Sequence, residues 1–183
     1  MTAKKLIETL NPKELAYVDL DLKDPRNGEY LLTVFHLVPG GDLNILQAAT
    51  EVAAESSTGT TFTVNTETPF SREMNALVYK VDLERNLVWL AYPWRLFDRV
   101  GNVQNILTYI VGNVLGMKQV SALKLLDVWF PPSMLEQYDG PSYTIDDMRD
   151  YLGVHDRPIL GTIVKPKMGL TSAEYAEVAY DFW

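Results

Sequence analysis

The sequence predicts an α+β fold, in which a ferredoxin-like domain is followed by the beginning of a second unit built from βα pairs. Two observations support this. Apolar spacing over the first 135 residues gives the order strand, helix, two strands, helix, strand. After a stretch rich in proline and glycine, a further apolar strand, loop and helix close the chain.

Each element of the first domain has its own signal. Alternating or continuous apolar runs of β-branched and aromatic residues predict strands, and apolar residues three and four apart predict helices. The predicted elements are strand 30–39, helix 43–57 with Asp42 as its N-cap, an alternating strand-like segment at 61–67, the two hairpin strands 75–83 and 87–94, helix 102–116 and strand 121–132. Two prolines end the last strand.

The second unit is expected to be incomplete. Residues 136–157 are predicted to form a linker with a short helix at 144–153, followed by a strand and then a helix at 171–183. A lone parallel strand cannot bury both of its faces. We therefore expect a truncated piece of a longer protein, with domains at 1–135 and 158–183 and further βα units to follow.

Composition narrows the class of protein. The chain has 183 residues, a net charge of -8, no cysteine and two histidines. A negative chain is a poor general binder of nucleic acid, and no apolar run is long enough to span a membrane. The N-terminus lacks the apolar core of a signal peptide, so we expect a cytoplasmic protein. Thiolate chemistry is excluded.

Lys165 and Lys167 are the first candidates for chemistry. They flank Pro166 at the end of an apolar strand, and residues two apart in a strand point to the same side. Adjacent ammonium groups lower each other's pKa, so one lysine can serve as a base, and a bound phosphate would reverse that shift. The alternative is a pair of solvated lysines at a strand end.

Two further candidates lie in the first domain. The segment AAESSTGTTF places Glu55 and a cluster of hydroxyls beside Gly59, which is the chemistry of a phosphate site or of a polar helix end. Asn113 lies at the edge of the apolar stripe of helix 102–116, where its amide needs a partner or simply occupies a last helical turn.

Three motifs together resemble one known family. AAESSTGT, YIVGNVLG and ILGTIVKPKMGL are similar to segments of the ribulose-bisphosphate carboxylase/oxygenase large subunit, in the same order and at similar separations. The resemblance runs from about residue 15 to Trp183. The segments FDRVGNVQNILTYIVGN and PPSMLEQYDGPSYT resemble those of archaeal, methanogen-like members. The resemblance implies a ferredoxin-like domain followed by a (β/α)8 TIM barrel.

The resemblance also implies roles for single residues. Lys165 matches the catalytic lysine that moves protons, and Lys167 a lysine that contacts substrate. Glu55 matches a catalytic residue and Asn113 a substrate-binding one, both reaching into the active site of a partner subunit. Thr60 matches a phosphate-binding threonine. Ile163 stands where plant-type members have threonine, so a hydroxyl contact is lost there, and Thr162 points to the other side of the strand.

The implied reaction is that of a carbon–carbon lyase with a monooxygenase side activity. The substrates are ribulose 1,5-bisphosphate, CO2 and O2, and the cofactor is Mg²⁺ with a carbamylated lysine whose ligands lie outside this chain. A homodimer, or an oligomer of dimers, would share its sites between subunits. The pathway is either carbon fixation or nucleotide-ribose salvage, and the similarity to archaeal members favours salvage.

Two other functions are compatible with the sequence. One is a family member that enolises or isomerises another phosphorylated sugar without carboxylation. The other is an interaction domain without catalysis. Intact equivalents of Glu55, Asn113 and the lysine pair favour the carboxylase.

Overall fold

The computed structural model describes residues 3–59, 66–161 and 169–182, which form two compact units, Met1–Asp139 and Gly140–Trp183. The change from one unit to the next falls inside the predicted linker at 136–157. The predicted domain limits themselves remain a prediction.

The first unit is built on a four-stranded antiparallel sheet with the order β2-β3-β1-β4. Its strands are β1 (Tyr30–Pro39), β2 (Leu77–Asp82), β3 (Leu87–Pro93) and β4 (Val120–Trp129). The hairpin partner β3 lies beside β1, between β1 and β2, so β1 and β2 are joined by a split crossover. This arrangement confirms the predicted ferredoxin-like topology.

Short helices and two long ones complete this unit. They are α1 (Ala3–Leu6), α2 (Ile45–Glu55), α3 (Pro69–Glu73), α4 (Val103–Val111) and α5 (Pro132–Leu135), with 3-10 turns that include Glu14–Tyr17 and Asn113–Gly116. The predicted strand at 61–67 lies mostly outside the described residues.

Helix α2 packs against β1 and β2 and supplies much of the core. Four of its small side chains are fully buried: Ala48, Ala49, Val52 and Ala53. Small residues let the helix lie close to the sheet, where few voids are tolerated. The predicted cap Asp42 is wrong. Asn44 is the N-cap, because its side chain accepts hydrogen bonds from the backbone N–H groups of Leu46 and Gln47 at 3.0 Å.

The predicted helix 102–116 is wrong at its C-terminal end. Helix α4 stops at Val111, and Gly112 takes φ -83° and ψ -121° before the 3-10 turn begins at Asn113. A Cβ atom on Gly112 would lie 2.0 Å from the carbonyl oxygen of Thr108. Glycine is therefore required at this bend, and the bend turns Asn113 away from the helical position that the periodicity indicated.

The second unit contains two helices in its described part, α6 (Ile145–Leu152) and α7 (Ser172–Phe182). Thr144 and Asp147 form a capping box for α6, and the Thr144 hydroxyl is the main cause of the lowered pKa of Asp147. The predicted barrel strand falls largely on residues 162–168, outside the described part. Within the described ranges, no helix is long and apolar enough to cross a membrane.

The bend at Gly112 generates a prediction. Replacing Gly112 with alanine forces a Cβ into the Thr108 carbonyl, so we expect the free energy of unfolding to fall by about 2–3 kcal/mol. Urea unfolding of the purified chain, followed by circular dichroism, measures this change.

Gly116 is the matched control, because it ends the same 3-10 turn and a Cβ there meets no atom within 4 Å. Gly116→Ala should leave the unfolding midpoint nearly unchanged. Equal losses of stability in both variants would show that the Thr108 contact is not the cause.

Candidate functional site

Two of the predicted site residues, Glu55 and Asn113, lie within the described part of the chain. Glu55 is the last residue of α2, and Asn113 is the first residue of the 3-10 turn after α4. The other four, Thr60, Ile163, Lys165 and Lys167, lie outside the described residues. Their assigned roles stay predictions.

The fold brings Glu55 and Asn113 together across 58 positions of sequence. Asn113 Nδ2 donates a hydrogen bond to Glu55 Oε1 at 3.3 Å, and both residues are exposed. The amide is a neutral donor, so the pair keeps the full negative charge of the carboxylate. Carboxylate and amide together offer acceptors and donors to a polar ligand such as a sugar hydroxyl. Of the two interpretations of Asn113, an amide with a side-chain partner is therefore the one that this hydrogen bond supports.

The hydroxyls that follow Glu55 serve the end of α2. Ser57 Oγ donates to the Ala53 carbonyl at 2.6 Å and accepts the Ala76 N–H at 3.0 Å. Thr58 Oγ1 donates to Asn75 Oδ1 at 2.6 Å. Of the two interpretations of AAESSTGTTF, the polar helix end therefore describes Ser57 and Thr58. A phosphate-binding role stays a prediction for Thr60 alone.

Tyr92 lies directly behind this segment. Its hydroxyl is 3.0 Å from Ser56 Oγ, and both residues are buried. Burial raises the pKa of Tyr92 to about 12, opposed in part by the hydroxyls of Ser56 and Thr33. In the described part of the chain Thr33 Oγ1 has no hydrogen-bond partner of ordinary geometry, so Ser56 holds the tyrosine hydroxyl.

From the sequence alone, the aromatic residues at 89–94, Tyr92 among them, are most simply core or interface residues. The strand position of Tyr92 predicts burial, but its hydrogen-bond partner is 36 residues away and belongs to another element. The local signal that could have been used is a tyrosine inside an otherwise apolar strand, because a buried hydroxyl needs a partner.

A second polar group joins the N-terminal segment to the start of α3. Lys13 Nζ lies 2.5 Å from Glu67 Oε2, and Arg72 Nε lies 3.3 Å from Glu67 Oε1. The hydrogen bond from Lys13 is the main cause of the lowered pKa of Glu67. These ion pairs occupy the Glu67 carboxylate, so it is not a free acceptor for a ligand.

Metal-binding geometry is absent from the residues that the structure describes. No three side chains of His, Asp or Glu come together there as ligands for a metal ion. Glu55 contributes one carboxylate, whereas a Mg²⁺ site usually combines one or two carboxylates with further oxygen ligands. The described residues therefore do not fit a resident magnesium ion.

The sequence matches two family models along its length. Residues 16–134 match "Ribulose bisphosphate carboxylase large chain, N-terminal domain", and residues 144–183 match the catalytic domain of the same chain. A ribulose bisphosphate carboxylase of Rhodopseudomonas palustris is 40% identical over 179 residues, covering 91% of this chain and 39% of the relative. A Methanosarcina barkeri relative of the same name is 41% identical over 152 residues, covering 82% of this chain and 35% of its own.

Solved structures agree with these matches. A dimeric archaeal Rubisco from Hyperthermus butylicus superposes with a TM-score of 0.74 at 40% identity, covering 92% of this chain and 40% of that one. An octameric ribulose-1,5-bisphosphate carboxylase/oxygenase from Pyrococcus horikoshii gives 0.72 at 31% identity, covering 94% and 41%. The chain thus spans about two fifths of the length of these relatives. With its split βαβ sheet and both family models matched, the chain belongs to the ribulose bisphosphate carboxylase large-chain family.

Proposed function

We propose that this chain is the N-terminal part of a ribulose-1,5-bisphosphate carboxylase/oxygenase, which enolises the bisphosphate and adds CO2 to give two molecules of 3-phosphoglycerate. The single observation that carries the proposal is the Glu55–Asn113 hydrogen bond at 3.3 Å. It unites the AAESSTGT and IVGN motifs at one place on the surface. The names of the matched relatives support the same activity.

Lys165 is proposed to move protons at the enolisation step. A lysine acts as a base only if its pKa falls toward neutrality, and the neighbouring ammonium of Lys167 favours such a fall. Lys167 keeps its charge for the substrate, whose phosphates are anionic. Thr60 supplies a hydroxyl to one phosphate, and the substrate-binding position of Ile163 lacks the hydroxyl contact that a threonine would make.

Glu55 and Asn113 are proposed to complete the active site of a partner subunit. Both residues are exposed on the first unit, and neither is used to hold a metal in the described part of the chain. A charged, hydrogen-bonded pair that faces solvent in one subunit is available to a ligand bound in another. The assembly is therefore a homodimer, or an oligomer of dimers, as the names of the dimeric and octameric relatives suggest.

Mg²⁺ on a carbamylated lysine is proposed for the complete protein, but its ligands are expected beyond residue 183. The described residues do not fit that ion, so the roles proposed for this chain are to move protons, bind phosphate and position the substrate. The protein is proposed to work in the cytoplasm. The proposed pathway is either carbon fixation or nucleotide-ribose salvage, and the archaeal relatives among the matches favour salvage.

A carboxylation-free enolase or isomerase on another phosphorylated sugar is the second candidate. It would use the same fold and the same lysine pair. Relatives on both the bacterial and the archaeal side carry the carboxylase name, which favours the first candidate. An interaction domain without catalysis has no use for a proton-transferring lysine.

Lys165→Met in the complete protein tests the proton-transfer role. We expect kcat for incorporation of labelled CO2 with ribulose 1,5-bisphosphate to fall at least about a hundredfold, because general acid–base catalysis contributes that much or more. Lys124→Met is the control, since Lys124 is an exposed lysine on β4 to which no role in the site is assigned. If Lys165→Met fixes CO2 at a rate close to that of the parent, Lys165 does not have the proton-transfer role.

The 183-residue chain alone should fix no CO2, because it spans about two fifths of its relatives. Fixation by the purified chain would contradict the proposed dependence on residues beyond 183.

Mixed dimers test whether the site is shared. Glu55→Gln and Lys165→Met homodimers are each expected to keep about one hundredth of the parent kcat or less, a rate that labelled CO2 still measures. A mixed dimer regains one intact site, with Glu55 from one subunit and Lys165 from the other. After unfolding and refolding of an equimolar mixture, about a quarter of the parent activity should return, because about half of the dimers are mixed and each has one working site.

No recovery, with dimers present by light scattering, would place both residues in the site of a single subunit. Refolding of the parent protein under the same conditions provides the reference activity.

A further inference from the structure

The hydroxyl of Tyr92 fixes the end of α2 through Ser56, the residue directly after Glu55. Ser56 Oγ donates its one hydrogen to the Val52 carbonyl at 2.6 Å. It therefore accepts from the Tyr92 hydroxyl at 3.0 Å. Both side chains are buried, so water does not compete readily for this bond. The last turn of α2 is thereby tied to the end of β3.

The ring of Tyr92 is connected to α4, the helix that precedes Asn113, through two aromatic contacts. Its centroid lies 6.2 Å from that of Phe97 at an interplanar angle of 56°. Phe97 in turn lies 5.4 Å from Tyr109, nearly edge-to-face at 84°. Such pairs resist displacement because offset and edge geometries are preferred. Tyr109 lies on α4, three residues before the bend at Gly112 that presents Asn113.

The Glu55–Asn113 bond needs this support. Both side chains are exposed and the bond is long at 3.3 Å, so its own net contribution is small. The relative placement of the two residues must then come from the backbone ends of α2 and α4. Tyr92 is fully buried and contacts the first end by a hydrogen bond and the second through two aromatic contacts.

We propose that Tyr92 is a positioning residue, which sets Glu55 and Asn113 in register for the substrate through its Ser56 hydrogen bond and its contact with Phe97. This inference rests on the proposed carboxylase function for its kinetic consequence. The geometric part stands on the contacts alone. The tyrosine itself is buried and does not touch the substrate.

Tyr92→Phe in the complete protein removes the hydroxyl and keeps the ring. We expect kcat with ribulose 1,5-bisphosphate to fall about tenfold with KM changed less than about twofold, because small misplacements weaken the transition state more than binding. Ser56→Ala removes the acceptor of the same bond and should give the same result. The double variant should be no worse than either single variant, within about twofold.

A double-mutant cycle separates positioning from general support of the core. If Tyr92 acts through Glu55, adding Tyr92→Phe to Glu55→Gln should lower kcat by less than about twofold more. Tyr79→Phe on β2 is the control for loss of a tyrosine hydroxyl and should leave kcat unchanged. Thermal unfolding of every variant shows whether it is folded at the assay temperature.

The outcomes distinguish the two proposals. An inactive parent protein overturns the proposed function. Crystal structures of the parent and of Tyr92→Phe then test the positioning role without any measurement of activity. Those structures should show the Glu55 Oε1 to Asn113 Nδ2 distance lengthened beyond 3.5 Å in Tyr92→Phe. If the parent is active, either of two results overturns the positioning role. One is an unchanged kcat in Tyr92→Phe, and the other is an equal fall of kcat when Tyr92→Phe is added to the parent and to Glu55→Gln. An unchanged distance in the variant overturns the geometric part.

Discussion

The close packing of α2 on the sheet is the contact on which the rest of the first unit depends. Ala48, Ala49, Val52 and Ala53 are fully buried there, and the larger side chains of the core come mainly from the strands below. Because the helix approaches the sheet at a distance set by small residues, the position of its last turn is also fixed. Glu55 therefore leaves the helix at one defined point above the end of β3.

The second constraint is the bend after α4. A continuous helix would carry Asn113 around the helix axis, whereas Gly112 lets the backbone leave the helix and continue as a 3-10 turn. One side-chain-free residue thus decides where an amide is placed. The same reasoning explains why this loop and the end of α2 meet, although 58 residues separate Glu55 from Asn113.

Much of the fold could be predicted, because its strands and helices follow apolar periodicity and their order permits few topologies. Asp42 was a reasonable cap by residue type, but a second Asx residue two positions later made the capping box with Gln47. The bend at Gly112 could not be read from periodicity, since Val114 remains buried as a helix would require. The role of Tyr92 could not be predicted because its partner Ser56 comes from a distant segment. The resemblance assigns Glu55 and Asn113 to one kind of site, but the hydrogen bond between them is seen only in the structure. The motif alone supports the roles assigned to the remaining site residues, which are Thr60, Ile163, Lys165 and Lys167.

The hydroxyls at the end of α2 have a consequence for mutational tolerance. Ser57 and Thr58 are occupied by bonds to Ala53, Ala76 and Asn75, whereas the neighbouring carboxylate of Glu55 faces outward. Neighbouring residues of one short motif thus have different roles: Ser57 and Thr58 stabilise the end of a helix, and Glu55 is available for chemistry. In a survey of all single substitutions, replacements of Ser57 should lower the amount of folded protein. Replacements of Glu55 should lower activity and leave the amount of folded protein nearly unchanged.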